Sequence, residues 1–411
     1  MMGSMMRRGA ISGDGSTLNL DFTTMTATAD LTALGLTFTR GSTGTRINAS
    51  GFVETMSNNV ARFDHDPTTT PPTPRGLLVE GSATNLVTQS NGATSVWTIG
   101  GHRTPTNNTT DLLSPDGTNN ATKLVCGTAG NYSSFATSIT GLTGGGTYTV
   151  SYWIRGPVGH NPRLYAVNGT IGDVTPTATT GTYNNTGWTR LTQTYTLPAA
   201  TTQVYVYFMS VTIGVTGDTF YVFGFQLETG SGASSLIPTG ASTATRVQDQ
   251  MEMADISALS YNLSVGTVAI TAFWNKNASS AFPRSIRFVD ASNVISSAII
   301  TTTDDLLGNW PLANGTTTLE TTSANVPPVA RFKYAMSASA VANPTLATLA
   351  VALNGTTGNT TGVASTVRPA SKLQILYGAG AATDYPSMTI SSLKYWPTLM
   401  TSAQLQAMTT L

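Results

Sequence analysis

The chain has 411 residues, which is enough for two or three domains. Only 10% of the residues are charged, against about 25% in an ordinary domain, and 20 basic residues balance 20 acidic ones. This composition argues against nucleic acid as a partner, because phosphate binding needs a basic surface, and against a polybasic membrane anchor.

The N-terminal segment, residues 1–17, shows no periodicity and is rich in Gly, Ser and Met. This pattern indicates a flexible arm, which is either disordered or ordered on a neighbouring subunit. Arg7 and Arg8 are not followed by an apolar run, so no signal peptide is predicted. No stretch approaches the roughly 18 to 20 apolar residues of a membrane span, and we expect a soluble protein without membrane insertion.

Residues 18–86 read as short strands and turns. In "LTFTRGSTGTRINASGFVET", Leu36 and Phe38 alternate with polar residues, and a tight turn is predicted at 48–51. The string "RGLLVEG" indicates a short apolar strand after the extended connector "TPPTP". We therefore predict a separate β-rich region here.

The triplet Asp64-His65-Asp66 lies within this region. In an extended strand, Asp64 and Asp66 point to one face and His65 to the other. Two carboxylates on one face can hold a cation, or they can cap a turn before Pro67. We interpret the triplet as a structural motif, with a cation site and a catalytic site as the alternatives.

Residues 87–245 contain successive strand candidates that are rich in Tyr, Val, Phe and Thr. They include "GTYTVSYWIRG", "PRLYAVNG", "GWTRLTQTYTLP", "TQVYVYFMSV" and "DTFYVFGFQLETG". Their spacing, with no helical pattern between them, predicts a β-sandwich or jelly roll.

Residues 246–411 repeat this pattern, with strands such as "GTVAITAFWNK", "LATLAVALNGT" and "MTISSLKYWPT". The last residues, "TSAQLQAMTTL", predict a short helix with Thr401 or Ser402 as its N-cap and Leu405 and Met408 on its apolar face. A Gly/Ser/Thr-rich linker ends near Arg246. The fold class is thus all-β, with an N-terminal β-rich region followed by two β-sandwich domains.

Strand aromatics supply the candidate glycan-binding residues, because aromatic faces contact sugar C–H groups. Tyr205 and Tyr207 share one face of a predicted strand, and Val204 and Val206 share the other. Burial in the core or in a subunit contact is the alternative for each aromatic residue. The glycan-binding candidates are Trp188, Tyr205, Tyr207 and Tyr221.

Two acids, Asp218 and Glu228, flank the final strand of the 87–245 unit. Acids in such positions hold a structural calcium ion in some jelly-roll modules, and a turn or edge role is the alternative. Cys126 is the single cysteine, so neither an intrachain disulfide nor a cysteine-based zinc site is expected. Apart from this calcium ion, we expect no cofactor.

Glycoside hydrolysis needs two carboxylates roughly 5 to 10 Å apart. Asp249, Glu252 and Asp255 have the closest spacing, but their position near the linker favours a solvated edge. The pair at 304–305 (Asp-Asp) reads as a turn, and no E-x-D-x-x-E pattern occurs. The sequence therefore predicts no catalytic residues.

Four strings resemble, in the same order along the chain, a family of structural proteins of tailed bacteriophages and prophages. They are "FTRGSTGTRINASGFVE", "ARFDHDP", "RGLLVEGSATNL" and "FQLETGSGASSLIPTGASTATR". Members are described as head spike or head fibre proteins, tail-fibre proteins or phage carbohydrate-binding proteins. Residues 87–245 resemble the family's jelly-roll carbohydrate-binding-like module. Residues 246–411 resemble a concanavalin A-like lectin sandwich, although no Asp/Asn cluster at calcium-binding spacing occurs there.

The resemblance implies a non-enzymatic virion protein, a fibre, spike or decoration subunit exposed on the particle exterior and assembled in the host cytoplasm. It implies other virion proteins, host surface polysaccharide and further copies of the chain, as a homotrimer, as partners. Residues 1–86 would then attach the protein to the particle, and a chain beginning at Gln89 should fold but fail to decorate particles. The alternatives are a tailspike-type polysaccharide depolymerase and a purely structural capsid or tail component without a ligand.

Overall fold

The computed structural model describes residues 13–91, 97–100, 103–127, 133–158, 161–167, 172–180, 182–211, 216–262, 265–276, 284–301, 306–309, 331–343, 346–361, 369–376 and 387–411. Its secondary structure is almost entirely β, as predicted. In these described parts, no helix is long and apolar enough to cross a membrane.

The strands follow one another in chain order as follows. The first are β1 (Leu18–Asp21), β2 (Leu36–Thr39), β3 (Gly44–Ile47), β4 (Val53–Met56), β5 (Arg62–Asp66), β6 (Thr73–Val79), β7 (Ala83–Asn85), β8 (Thr98–Gly100), β9 (Arg103–Thr106) and β10 (Thr122–Cys126). They continue with β11 (Ser133–Thr140), β12 (Thr147–Arg155), β13 (Asn161–Ala166), β14 (Gly172–Val174), β15 (Pro176–Thr180), β16 (Thr189–Thr196), β17 (Gln203–Val211), β18 (Thr219–Thr229), β19 (Ala244–Arg246) and β20 (Gln250–Met253). The last are β21 (Val265–Lys276), β22 (Arg284–Val289), β23 (Ile295–Thr301), β24 (Leu306–Asn309), β25 (Arg331–Asn343), β26 (Leu346–Leu353), β27 (Thr356–Thr361), β28 (Lys372–Ile375) and β29 (Ser387–Trp396).

Helical structure is confined to α1 (Thr28–Ala33), α2 (Ser402–Thr409) and one 3-10 turn (Ser257–Leu259) in the described residues. The C-terminal helix is predicted correctly, and Thr401 is its N-cap. The Thr401 hydroxyl accepts a hydrogen bond from Gln404 N at 3.3 Å, and Gln404 Oε1 accepts one from Thr401 N at 2.9 Å. Leu405 is fully buried against Ala335 and Ala352. Helix α1 was not predicted.

The chain divides into two compact units. The first contains residues 1–50, 56–82 and 247–411, and the second contains residues 51–55 and 83–246. The first unit is a sandwich of an eight-stranded sheet, in the order β27-β26-β25-β21-β29-β6-β5 with β1 also paired to β29, and a six-stranded sheet, in the order β2-β20-β28-β22-β23-β24. Its core contains apolar side chains of both sheets, such as Ile270 and Leu393 from one and Phe288 and Ile375 from the other.

The second unit is also a β-sandwich. It consists of a six-stranded sheet, in the order β15-β16-β12-β18-β10-β9, and a five-stranded sheet, in the order β14-β13-β17-β11-β8. Val150 and Phe225 from the first sheet meet Phe135 and Val204 from the second in one core. The chain enters and leaves this unit through the antiparallel pair β7 and β19, in which Ala83 lies opposite Arg246.

This division differs from the predicted one at the N-terminal side. Residues 18–86 were predicted to form a separate attachment region, but β1, β5 and β6 are strands of the same sheet as β21 and β29. The reason is that β29 would otherwise present unpaired backbone groups along one edge, which β1 and β6 satisfy. These N-terminal strands are therefore part of the first sandwich.

The described part of the predicted N-terminal arm also lies on β29. Thr17 N donates a hydrogen bond to Tyr395 O at 2.9 Å, and Trp396 Nε1 donates one to Asp14 O at 3.0 Å. Asp14 further pairs with Lys394 at 2.8 Å. Residues 1–12 of the predicted arm lie outside the described residues, whereas Asp14–Thr17 are bound and not a free arm.

Candidate functional site

The outer face of the five-stranded sheet carries two of the predicted glycan-binding residues. Along β17, Val204 and Val206 are fully buried in the core, while Tyr205 and Tyr207 are half-buried on the opposite face. The two tyrosine rings lie 6.1 Å apart between centroids, at an interplanar angle of 46°. The alternation in the sequence thus separates a core face from a face that solvent reaches.

A third tyrosine extends this surface. Tyr165 on β13 lies directly opposite Tyr205, and it is half-buried between the inward-facing Leu164 and Ala166. We call Tyr165, Tyr205 and Tyr207 the tyrosine face. Tyr165 was not among the predicted site residues, although the alternation in "PRLYAVNG" gives the same signal as in β17.

Polar residues border the tyrosine face in the same register. Ser138 on β11 lies opposite Tyr205, and Asp173 on β14 lies opposite Tyr165, so the row Asp173, Tyr165, Tyr205, Ser138 crosses neighbouring strands. Gln203 Nε2 donates a hydrogen bond to Ser138 Oγ at 2.9 Å. Aromatic rings beside hydroxyl, amide and carboxylate groups are what a sugar-binding surface needs. In the described strands of this sheet Asp173 is the one acid.

The other two predicted residues, Trp188 and Tyr221, lie on the opposite sheet. Trp188 precedes β16, and its Nε1 donates a hydrogen bond to Leu113 O at 2.9 Å. The hydroxyl of Tyr221 on β18 donates one to Asp111 Oδ2 at 2.9 Å. The predicted set is therefore divided between two sheets, because sequence alternation does not indicate on which sheet a strand lies.

The surroundings of Tyr221 are charged. Asp111 also pairs with Lys123 Nζ at 2.7 Å. Burial and the hydrogen bond to Asp111 raise the pKa of Tyr221. The hydrogen bonds from Lys123 and Tyr221 lower the pKa of Asp111, so its carboxylate is ionised at neutral pH.

The predicted calcium ligands do not meet. Asp218 precedes β18 and Glu228 lies near its end, so ten residues of extended chain, about 33 Å, separate them. Glu228 is buried and accepts hydrogen bonds from Gln226 Nε2 and, at 2.8 Å, from Ser234 N. The two acids cannot share one ion, and Glu228 instead holds the 230–240 segment. No group of three or more His, Cys, Asp or Glu side chains that could hold a metal occurs in the described parts of the chain.

The Asp64-His65-Asp66 triplet lies in β5 of the first unit, where a register shift falls between Asp64 and His65. Because of this bulge, both side chains reach Ile47: Asp64 Oδ1 accepts a hydrogen bond from its N at 2.7 Å, and His65 Nδ1 lies 3.3 Å from its O. The simple alternation predicted for the triplet is therefore wrong. Burial raises the pKa of Asp64 to about 6, although the Ile47 hydrogen bond opposes this shift.

Asp66 closes the turn that follows β5. Its Oδ1 accepts hydrogen bonds from Thr68 N at 2.9 Å and Thr68 Oγ1 at 2.6 Å, and its Oδ2 pairs with Arg75 at 2.9 Å. Burial by itself would raise the pKa of Asp66, but the hydrogen bonds from Thr68 and Arg75 lower it. These contacts hold the turn, and the interpretation of the triplet as a structural motif stays a prediction.

The acids considered for catalysis also make internal contacts. Asp249 is fully buried and pairs with Arg40 and Arg62, so the predicted solvated edge is wrong for this residue. Glu252 accepts a hydrogen bond from Gln374 Nε2 at 2.5 Å, and Asp255 accepts one from Ser257 N at 2.9 Å. The predicted turn at 304–305 lies outside the described residues.

An open cavity of about 350 Å³ lies on the outer side of the eight-stranded sheet. Its lining includes Asp14, Lys394, Trp396, Met400 and Met408. Of these, Asp14 already contacts two others, through the Asp14–Lys394 ion pair and the hydrogen bond from Trp396 Nε1 to Asp14 O. This cavity thus encloses the anchor of the N-terminal segment.

No family model and no curated protein matches this chain. Among solved structures, the CBM22-1 xylan-binding domain of Xyn10C from Paenibacillus barcinonensis is 13% identical and matches 37% of this chain and 96% of its own, with a TM-score of 0.29. The CBM22-1-CBM22-2 tandem of the same enzyme is 8% identical and matches 78% and 99%, with a TM-score of 0.28. The BppUct-A-L tripod from the baseplate of bacteriophage Tuc2009 is 12% identical and matches 71% and 99%, with a TM-score of 0.23. At such low identities and TM-scores, these similarities carry no argument about the function of this chain.

Proposed function

We propose that this chain is a non-enzymatic structural protein of a tailed bacteriophage particle, an exterior fibre, spike or decoration subunit that contributes to adsorption on host surface glycans. The observation that carries the glycan-binding part is the tyrosine face. Tyr165, Tyr205 and Tyr207 are half-buried on the outer face of a sheet, where their inward neighbours already fill the core.

The chemistry of this face suits a sugar chain. The rings of Tyr205 and Tyr207 lie at a tilt of 46°, so two sugar C–H faces can contact them in succession. Ser138 and Asp173, both exposed, lie in register with Tyr205 and Tyr165 and offer hydrogen bonds to sugar hydroxyls. A rigid sheet holds all of these groups, which reduces the entropy lost on binding.

The assignment to a virion rests on the sequence resemblance and on composition. The four phage-like strings include residues of both units. A surface rich in Thr, Asn and Gly with few charges suits a protein that packs into a larger assembly. From the same resemblance we propose a homotrimer that contacts other virion proteins. Mass spectrometry of purified particles, with and without external protease treatment, tests this location: the chain should be present and should be cleaved from outside.

The binding test uses purified protein, host cells and their extracted surface polysaccharide. Wild-type protein should be retained on cells without release of reducing ends. The double variant Tyr205→Ala/Tyr207→Ala should bind about 30-fold more weakly, since two aromatic contacts contribute about 1 kcal/mol each. Tyr205→Phe/Tyr207→Phe keeps both rings and should retain most of the binding.

Phe273→Ala, which removes a half-buried aromatic ring from the other unit, where Arg75 lies 5.2 Å from its centroid, is the matched control and should leave binding to this polysaccharide unchanged. Circular dichroism should show the same strand content in every variant. New reducing ends would overturn the non-enzymatic assignment in favour of a depolymerase. No retention of the wild-type protein would leave a structural component without a glycan ligand and would contradict the adsorption role.

A further inference from the structure

We propose a second binding site in the 83–246 unit, on the outer face of its six-stranded sheet, for a saccharide that carries carboxylate groups. The site is formed around Arg155, Tyr221 and Lys123, which we call the cationic row. It is independent of the tyrosine face, because it uses the opposite sheet and a ligand of different charge.

The strand register builds the cationic row. Arg155 on β12 lies directly opposite Tyr221 on β18, and Tyr221 lies directly opposite Lys123 on β10. Directly opposed residues project from the same face of a sheet, so the three side chains share the outer face. Two strand spacings, about 9.5 Å, separate the backbones of the two cations, with the tyrosine ring between them.

The described strands of this sheet carry more basic than acidic residues. Arg190 on β16 adds a third cation, and its guanidinium lies 4.7 Å from the ring centroid of Trp153. In the described strands of this sheet the one acid is Glu228, which is buried and holds the 230–240 segment. In a chain whose 20 basic and 20 acidic residues cancel, three neighbouring cations make an attractive surface for an anion.

Two further acids, Asp116 and Asp218, lie in the loops that border this sheet. Asp116 is held within its own loop by hydrogen bonds from Thr118 N at 3.1 Å and Asn120 Nδ2 at 2.7 Å. Asp218 precedes β18, three residues before Tyr221. Asp111 is the loop acid whose carboxylate contacts the row, through Lys123 and Tyr221.

The contacts of Asp111 show that the cationic row binds a carboxylate group. Its Oδ2 receives hydrogen bonds from Lys123 Nζ at 2.7 Å and from the Tyr221 hydroxyl at 2.9 Å. This carboxylate comes from a loop and its side chain is 37% exposed, so a carboxylate of a ligand can take its place with the same donors. The contact described for Arg155 uses only Nε, which donates to Asn185 O at 2.8 Å, and a guanidinium carries five N–H donors.

Aromatic groups beside the row favour a saccharide over another anion. Trp188 lies next to it, because its indole N–H binds Leu113 O, two residues from Asp111. The ring of Tyr221 lies within the row itself. Aromatic faces bind sugar C–H groups, whereas a simple anion or an acidic peptide gains little from them.

The test measures binding of galacturonic acid oligomers to the full chain by titration calorimetry. The methyl-esterified oligomers, of equal length but without charge, serve as the matched ligand. The acidic oligomers should bind at least about tenfold more tightly than the esters, because charged hydrogen bonds are lost in the esters. Their affinity should fall as salt is raised.

Single variants distinguish binding at the cationic row from nonspecific electrostatic attraction of the acidic oligomers. Lys123→Gln and Arg155→Gln should each weaken binding of the acidic oligomers about tenfold. Asp111→Asn should tighten it, because the competing carboxylate is gone. Lys372→Gln removes a lysine of the other unit that is half-buried like Lys123, and whose Nζ contacts Asn293 Oδ1 at 3.3 Å, and should have no effect.

Several outcomes would overturn this site. Equal binding of the methyl esters, an equal loss in Lys372→Gln, or no binding by either the wild-type protein or Asp111→Asn each contradict it. Equal binding of an oligoglutamate peptide would contradict the saccharide assignment. Tyr205→Ala/Tyr207→Ala should bind the acidic oligomers normally, so failure of one proposal is distinguishable from failure of the other.

Discussion

The guanidinium of Arg62 contacts the carboxylate of Asp249 across 187 positions of the chain, and both side chains are fully buried. Asp249 also pairs with Arg40 at 3.2 Å, and Arg62 pairs with Glu80 at 2.6 Å, so two cations and two anions form a neutral cluster. Burial by itself would lower the pKa of Arg62, but Asp249 and Glu80 outweigh it and raise this pKa. The cluster joins the N-terminal strands to the 247–411 part of the first sandwich.

We predict that Asp249→Asn destabilises the first unit by about 3 to 5 kcal/mol, because it leaves two buried guanidiniums with one carboxylate. Urea unfolding followed by circular dichroism measures the loss, and hydrogen exchange should show it in peptides of the first unit. Asp255→Asn, which alters an exposed acid that caps Ser257, is the control and should change stability by less than about 0.5 kcal/mol. A small effect of Asp249→Asn would show that the cluster is not needed for stability.

The pairing of the N-terminal strands with the 247–411 part of the first unit predicts which fragments of the chain fold independently. A fragment of residues 83–246 should fold alone, because it contains a complete sandwich whose ends meet at Ala83 and Arg246. A fragment of residues 247–411 should not unfold cooperatively, because it lacks β1, β5 and β6. In a chain beginning at Gln89, the first unit should not fold cooperatively, because the same strands are missing.

The control for this cut joins residues 13–82 to 247–411 with a short Gly/Ser linker. This fusion should regain cooperative thermal unfolding, since paired residues at the excised ends lie about 5 Å apart. Cooperative unfolding of 247–411 alone would contradict the assignment of the N-terminal strands to this sandwich.

The raised pKa of Asp64 predicts that the free energy of unfolding depends on pH. Its pKa is about 6 in the folded protein, above the ordinary value of 3.8, so the folded state binds the proton more tightly. The free energy of unfolding should therefore rise as the pH falls, by about 1 kcal/mol from about pH 7 to about pH 5. Asp64→Asn keeps an acceptor for Ile47 N and should remove this increment when urea unfolding is repeated at both pH values.

Asp66→Asn should behave differently from Asp64→Asn. The pKa of Asp66 is lowered, so its ionised form stabilises the folded state at neutral pH. The variant should lose stability at about pH 7 and keep the wild-type increase between about pH 7 and about pH 5. If Asp64→Asn also keeps that increase, another group is responsible for it.

The buried contacts of Glu228 predict that its substitution destabilises the 230–240 segment of the second unit. Glu228→Gln removes a charged acceptor from Ser234 N and should cost about 1.5 to 3 kcal/mol. Hydrogen exchange should increase in the 230–240 segment, whereas Asp218→Asn should leave this segment unchanged. Adding calcium should not raise the melting temperature of the wild-type protein more than that of Glu228→Gln; a larger rise would restore a role for Glu228 as a calcium ligand.

Features that depend on neighbours along the chain can be read from the amino-acid sequence. Alternation with period two gave the all-β class and separated Val204 and Val206 from Tyr205 and Tyr207. The terminal helix followed from its capping residue, Thr401, which acts within one turn. Such local signals need no knowledge of distant strands.

Folding sets the features that depend on pairing between distant strands. It joined β1, β5 and β6 to β29, added Tyr165 to the tyrosine face, and separated Trp188 and Tyr221 onto the other sheet. It also buried Asp249, which reads as a surface acid in its local context. The physical reason is that strand pairing and burial are selected by the core as a whole, and a charge becomes tolerable inside only when folding brings its partner to it.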